Sequence, residues 1–143
     1  MTSPHPAIEA FKALYSDLRA ADIPALMPGV YHPEVEFQDP FHRIVGRDRL
    51  EEYLAGGVKD AVMCTFTFHR EIVAGNQAFV EWTMQLAHRK LQGGRAHSTP
   101  GGSMLVVGEG GIIVHRDYFD AGSMLYERVP VLGSLVRLVK KRV

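Results

Sequence analysis

The chain has a single cysteine, Cys64, so no internal disulfide can staple it. Cys64 lies in an apolar run, which reads as a small core residue rather than a reactive thiol. Net charge is also lacking: sixteen basic residues balance sixteen acidic ones. Without an excess positive field there is little to engage phosphates, so nucleic acid is not expected as a partner. No apolar run reaches the length of a membrane span. The first six residues are polar and lack the apolar stretch of a secretory signal, so a cytoplasmic protein is expected. No group of His, Cys, Asp or Glu residues has metal-site spacing, so neither metal nor cofactor is expected. Internal repeats, low-complexity segments and linkers are absent too. Residues 1–143 therefore read as one domain, with an amphipathic, basic tail over 127–143.

What is present is material for a core: 46% of the 143 residues are apolar. Ile8, Phe11, Leu14, Tyr15 and Leu18 recur at three- and four-residue spacings, which predicts an amphipathic helix over 6–20. Asp22 is placed to cap a second helix running to Met27, with Pro24 in its first turn and Pro28 and Gly29 closing it. Pro33 holds His32 away from helical geometry and leads into a strand. There Val35, Phe37 and Asp39 share the side expected to be buried. A third helix is expected over 46–55, ended by Gly56 and Gly57. Strands follow over 63–73, 77–90, 95–107 and 112–120. In the second of these, Val80, Trp82, Met84 and Leu86 alternate with Glu81, Thr83 and Gln85. Helices first and long strands after predict an α+β fold, with helices covering one face of a curved sheet.

This order resembles the NTF2-like superfamily, in particular its SnoaL-like branch. The resemblance rests on Tyr31, Pro33, Val35, Phe37, Asp39 and Pro40, on Gly46 and Leu50 of the third helix, and on the run from His115 to Asp120. It spans about residues 11–126 and implies a cone around one apolar pocket. It is specific for fold and weakly specific for activity, because the superfamily includes ketosteroid isomerases, epoxide hydrolases of the limonene type, SnoaL-type cyclases and non-catalytic binders. Tyr15 and Asp39 match the isomerases' oxyanion tyrosine and general base. The position of their second oxyanion donor falls at Gly102, with Ser103 beside it, and glycine has no side chain to donate. Asp117 matches one catalytic carboxylate of the epoxide hydrolases, whereas their arginine and second aspartate fall at Trp82 and Met84. A His–Asp pair like that of the cyclases is available from Asp117 with His42, His88 or His115.

The candidate catalytic residues are therefore Asp39, Asp117, Tyr15 and His42. Each has a plain structural alternative: a turn cap for Asp39, an arginine salt bridge for Asp117, packing for Tyr15 and solvation for His42. Phe37, Tyr53, Phe66, Phe68, Trp82, Met84, His115 and Phe119 are candidates for a ligand-binding wall. The expected function is binding of a small apolar molecule, steroid-, terpenoid- or polyketide-like. Isomerisation, cyclisation or hydrolysis by carboxylate acid–base chemistry would follow; the alternative is a non-catalytic ligand-binding or protein-interaction module of the same fold. Pairing of two copies through the outer sheet face is expected. In the tail, Val131, Leu135 and Leu138 are expected to pack on the body in preference to touching an anionic membrane.

Overall fold

The computed structural model describes residues 5–124 and 130–143. Helix α1 (Pro6–Ser16) starts with proline in its first turn and buries Ala7, Ile8, Phe11, Leu14 and Tyr15. It ends four residues before the expected boundary. Asp17 turns extended and bridges Thr65, and the Leu18 N–H donates to the Cys64 carbonyl. Pairing with the sheet thus takes over backbone groups that a longer helix would use. Helix α2 (Ile23–Val30) is capped by Asp22, whose carboxylate accepts from the Ala25 N–H at 3.3 Å. It runs through Pro28 and Gly29 rather than closing there, because Met27 and Val30 reach the core from its last turn.

Six strands form one mixed sheet: β1 (Tyr31–Gln38), β2 (Arg43–Val45), β3 (Ala61–Ala74), β4 (Gln77–His88), β5 (His97–Gly108) and β6 (Gly111–Phe119). Their spatial order is β2-β1-β6-β5-β4-β3. Only the β1–β6 pair is parallel, with Phe37 opposite His115. The remaining neighbours are antiparallel hairpin partners. Helix α3 (Arg47–Lys59) follows Gly46, whose φ of +103° suits glycine. It continues through Gly56 and Gly57 to a cap at Asp60. Leu50, Tyr53, Leu54 and Val58 pack against the core, and that packing outweighs the roughly 1 kcal/mol each helical glycine costs.

The expected alternation holds in β4: Val80, Trp82 and Met84 are buried on the inner face, and Phe79 lies outward. After Phe119 the chain enters the short helix α4 (Ala121–Met124), and helix α5 (Pro130–Lys141) closes the chain. The first residues of the expected tail lie outside the described ones. Leu135 and Leu138 do not pack on the body as expected. They are 56% and 49% exposed, and Val131 is not among the described side chains. None of the described helices is long and apolar enough to cross a membrane.

Candidate functional site

The inner sheet face, α1 and α3 enclose a cavity of about 210 Å³. Tyr15 and Leu18 wall it from the α1 side, and Tyr53, Leu54 and Val58 from α3. Phe37, Phe66, Trp82, Met84 and Phe119 line it from the sheet. Both expected carboxylates, Asp39 and Asp117, reach this wall, so the topology brings the ends of β1 and β6 together at one end of an aromatic chamber. That end abuts a second groove of about 620 Å³, which shares Asp39, Asp117 and Phe119 and adds Gln38, Arg116 and Tyr118.

Asp39 sits where β1 reverses. Its Oδ1 accepts from the backbone N–H groups of Phe41 and His42 at 2.8 and 2.7 Å. Its Oδ2 accepts a short hydrogen bond from the Tyr53 hydroxyl. The carboxylate therefore holds the turn and anchors α3 to β1 at once. Burial, with the Asp39 carboxylate next, raises the Tyr53 hydroxyl far above the ordinary tyrosine range.

Asp117 is built differently. Its side chain is 14% exposed, and only Oδ1 is engaged, by the Ser103 hydroxyl at 2.5 Å and His115 Nε2 at 2.6 Å. Oδ2 has no hydrogen-bond partner among the described residues. Among the described residues no arginine pairs with Asp117; in place of the arginine salt bridge expected as its structural alternative stand Ser103 and His115.

From Asp117 a hydrogen-bonded chain runs into the core. The Trp82 indole N–H donates to Ser103 Oγ at 2.9 Å, and Ser103 in turn donates to Asp117. On the other side, His115 Nδ1 meets the Tyr31 hydroxyl at 2.8 Å, and Tyr31 meets the Tyr15 hydroxyl at 2.8 Å. His115 is buried, stacked on Tyr31 and edge-on to Phe11, Tyr15 and Phe37. An ionised Asp117 only accepts, so His115 Nε2 carries a hydrogen. In neutral imidazole Nδ1 then accepts from Tyr31, and Tyr31 accepts from Tyr15. In a charged ring Nε2 still donates to Asp117, while the His115–Tyr31 and Tyr31–Tyr15 bonds reverse and the Tyr15 hydrogen is released from Tyr31. Burial first, then neighbouring groups, pushes both tyrosines well above their ordinary range, so they pass hydrogens without ionising near neutrality.

Of the expected wall, Phe37, Tyr53, Phe66, Trp82, Met84 and Phe119 line the cavity. Phe68 lies behind it against Phe11 and Phe66, and His115 lies behind Asp117. His42 is outside: its side chain is 57% exposed, and its ring lies beside Tyr53 and Phe41. His88 is also elsewhere, accepting from the Lys90 N–H. The residue on β5 that faces the carboxylates is Ser103. Gly102 points to the outer face, where a Cβ would collide with the Phe79 ring. As site residues, Tyr31, Phe41 and Cys64 carry no mark in the sequence, and Ser103 enters there only as the neighbour of Gly102. The alternation in β5 carried the signal for Ser103, since it is in phase with Thr99 and Gly101 on the inner side. Burial raises the Cys64 thiol to about 11, which suits a wall residue and not a nucleophile.

The chain belongs to the SnoaL-like domain family, whose model matches residues 11–116. Comparison with curated proteins finds no match. Among solved structures, it is similar to a putative SnoaL-like polyketide cyclase from Jannaschia sp., with TM-score 0.74 and 13% identity over 87% of this chain and 94% of that one. A protein from Catenulispora acidiphila with a ketosteroid isomerase-like fold, solved with trimethylamine, gives TM-score 0.73 and 16% identity over 87% and 92%. An LEH-like epoxide hydrolase from M. tuberculosis gives TM-score 0.68 and 24% identity over 91% and 92%. These likenesses establish the NTF2-like α+β cone.

Proposed function

We propose that this chain takes a small apolar molecule into the aromatic cavity and that Asp117 moves a proton on it. The observation that carries this reading is the unengaged Oδ2 of Asp117 on a largely aromatic and aliphatic wall, with Oδ1 held in place by Ser103 and His115. A positioned carboxylate oxygen with no protein donor is a proton acceptor in waiting. Tyr15 supplies the second polar contact. With His115 charged, its hydrogen turns to a ligand oxygen; with His115 neutral, its oxygen accepts. Asp39 holds the turn that shapes the wall, and Tyr53 presents its ring.

The cavity volume bears on the substrate class. About 210 Å³ falls below the roughly 300–1,000 Å³ of drug-sized sites. A one- or two-ring terpenoid or polyketide-like compound with a carbonyl or epoxide oxygen fits better than a four-ring steroid. The chemistry is then an isomerisation, cyclisation or ring opening that begins with proton transfer. Two copies pairing through the outer face, where Ile72, Phe79 and Tyr118 are exposed, fit the same reading without adding a residue to the cavity.

A thermal-shift screen of one- and two-ring carbonyl compounds and epoxides tests it. A ligand at a hundredfold its Kd stabilises the fold by about 2.7 kcal/mol. Hits are then assayed for turnover with the wild type and Asp117→Asn. Turnover by the wild type alone supports the reading. Equal turnover by both overturns it. Binding by both with turnover by neither means that the pocket carries a ligand and performs no reaction.

A further inference from the structure

Helix α5 (Pro130–Lys141) is turned the wrong way for a water-exposed helix. On a helix, residues 133, 137 and 140 share one face. Gly133 on this face is buried, and Lys140 at its end reaches Asp120 at 2.9 Å. The opposite face carries Leu135, Leu138 and Val139, which are 56%, 49% and 62% exposed. A surface helix normally buries such a stripe and shows its charges to water. Here the side toward the body carries Gly133, half-buried Val136 and the Lys140–Asp120 pair, while Leu135, Leu138 and Val139 face out. The charge on the same segment has one sign: residues 130–143 include Arg137, Lys140, Lys141 and Arg142 and no acidic residue. Lys141 and Arg142 stand exposed at the end of the apolar stripe.

We propose that α5 is a membrane-surface contact that lays Leu135, Leu138 and Val139 into the interface of an anionic bilayer, with Lys141 and Arg142 among the headgroups. With 12 residues the helix is too short to span and the right kind to lie in the interfacial plane. The long stems of Lys and Arg let their charges stay at headgroup level while the stripe sinks. The chemistry that recognises this surface is a negatively charged lipid headgroup above acyl chains. Neither component alone suffices: three aliphatic side chains bury little area, and two or three cations gain little without an apolar anchor. The contact is independent of the proton-transfer reading of the cavity. It would nonetheless bring an apolar-ligand pocket to the phase where apolar ligands collect.

The test is sedimentation of the full-length protein with phosphatidylcholine vesicles and with vesicles that also contain phosphatidylglycerol. Binding is expected only to the anionic vesicles, and it should weaken as salt is raised. Leu135→Glu/Leu138→Glu and Lys141→Glu/Arg142→Glu should each lower that binding by about tenfold or more. Both should melt like the wild type, because the altered side chains are exposed. Absence of binding at low salt overturns the proposal, as does equal binding to neutral vesicles or unchanged binding by both variants. A dimer that Leu135→Glu/Leu138→Glu dissociates, with no vesicle binding by the wild type, also overturns it and assigns the stripe to a second copy.

Discussion

Asp39 and Asp117 lie at adjacent ends of two paired strands, on the wall of one cavity, and they are held in opposite ways. At the β1 end the backbone reverses at once. Two amide N–H groups and the Tyr53 hydroxyl converge on the Asp39 carboxylate. At the β6 end the strand runs on to Phe119, and the partners of Asp117 are side chains that take one oxygen only. A carboxylate at a turn becomes part of the backbone's hydrogen bonding. A carboxylate within a strand keeps an oxygen for something that is not protein.

The largest effect expected from this difference is on turnover. Asp117→Asn keeps the shape and the contact with Ser103 but loses the proton-accepting oxygen. It should cost about 10²–10⁴ in kcat for a ligand found by the screen. Asp39→Asn should cost less than about tenfold, since it alters a support. Equal losses would erase the distinction between the two carboxylates.

Next in size is stability. Asp39→Ala leaves two amide N–H groups and the Tyr53 hydroxyl without their acceptor, a loss of about 2–4 kcal/mol in urea unfolding. Asp117→Asn should lose less than half of that. A stability loss from Asp117→Asn as large as that from Asp39→Ala would make Asp117 a structural residue too.

The contrast between the carboxylates was only half legible in the sequence. Period-two alternation puts Val35, Phe37 and Asp39 on one side of β1, and the same period along β6 puts His115, Asp117 and Phe119 together. It therefore brought both carboxylates to the cavity. What alternation does not carry is which oxygens are taken, because that depends on turn geometry and on partners far away in the chain. Ser103 and Asp117 are brought together by strand register, and Tyr31 and His115 by a parallel pair at the end of a long crossover. The helix ends were missed for a related reason. Gly56 and Gly57 look like a stop, yet packing of Leu54 and Val58 carries α3 past them. The outward stripe of α5 could not be read either, since amphipathic spacing shows that a helix has an apolar face and not what that face meets.

A smaller effect separates the wall from the carboxylates by pH. Burial lifts the Cys64 thiol from its ordinary 9.0 to about 11. In that window the unfolded chain has released the proton and the folded chain still holds it. Stability is complete below pH 9 and falls as pH rises toward 11, by about 2 kcal/mol. The difference between wild type and Cys64→Ala in unfolding free energy, measured across this window, should shrink by that amount. A difference that stays flat would mean that the thiol meets water and the wall is open there.

The smallest effect tests the wire behind Asp117. Tyr31→Phe keeps the ring stacked on His115 and removes the hydroxyl that joins His115 to Tyr15. Each neighbour loses one buried hydrogen-bond partner, so a loss of about 1–2 kcal/mol is expected in urea unfolding. The engaged and unengaged oxygens of Asp117 are untouched, so kcat should fall by less than about tenfold if Oδ2 alone accepts the proton. A fall as deep as that of Asp117→Asn would move the working part of the site. The proton would then pass through His115 and Tyr31 to Tyr15, and the carboxylate would serve to set the tautomer of the ring.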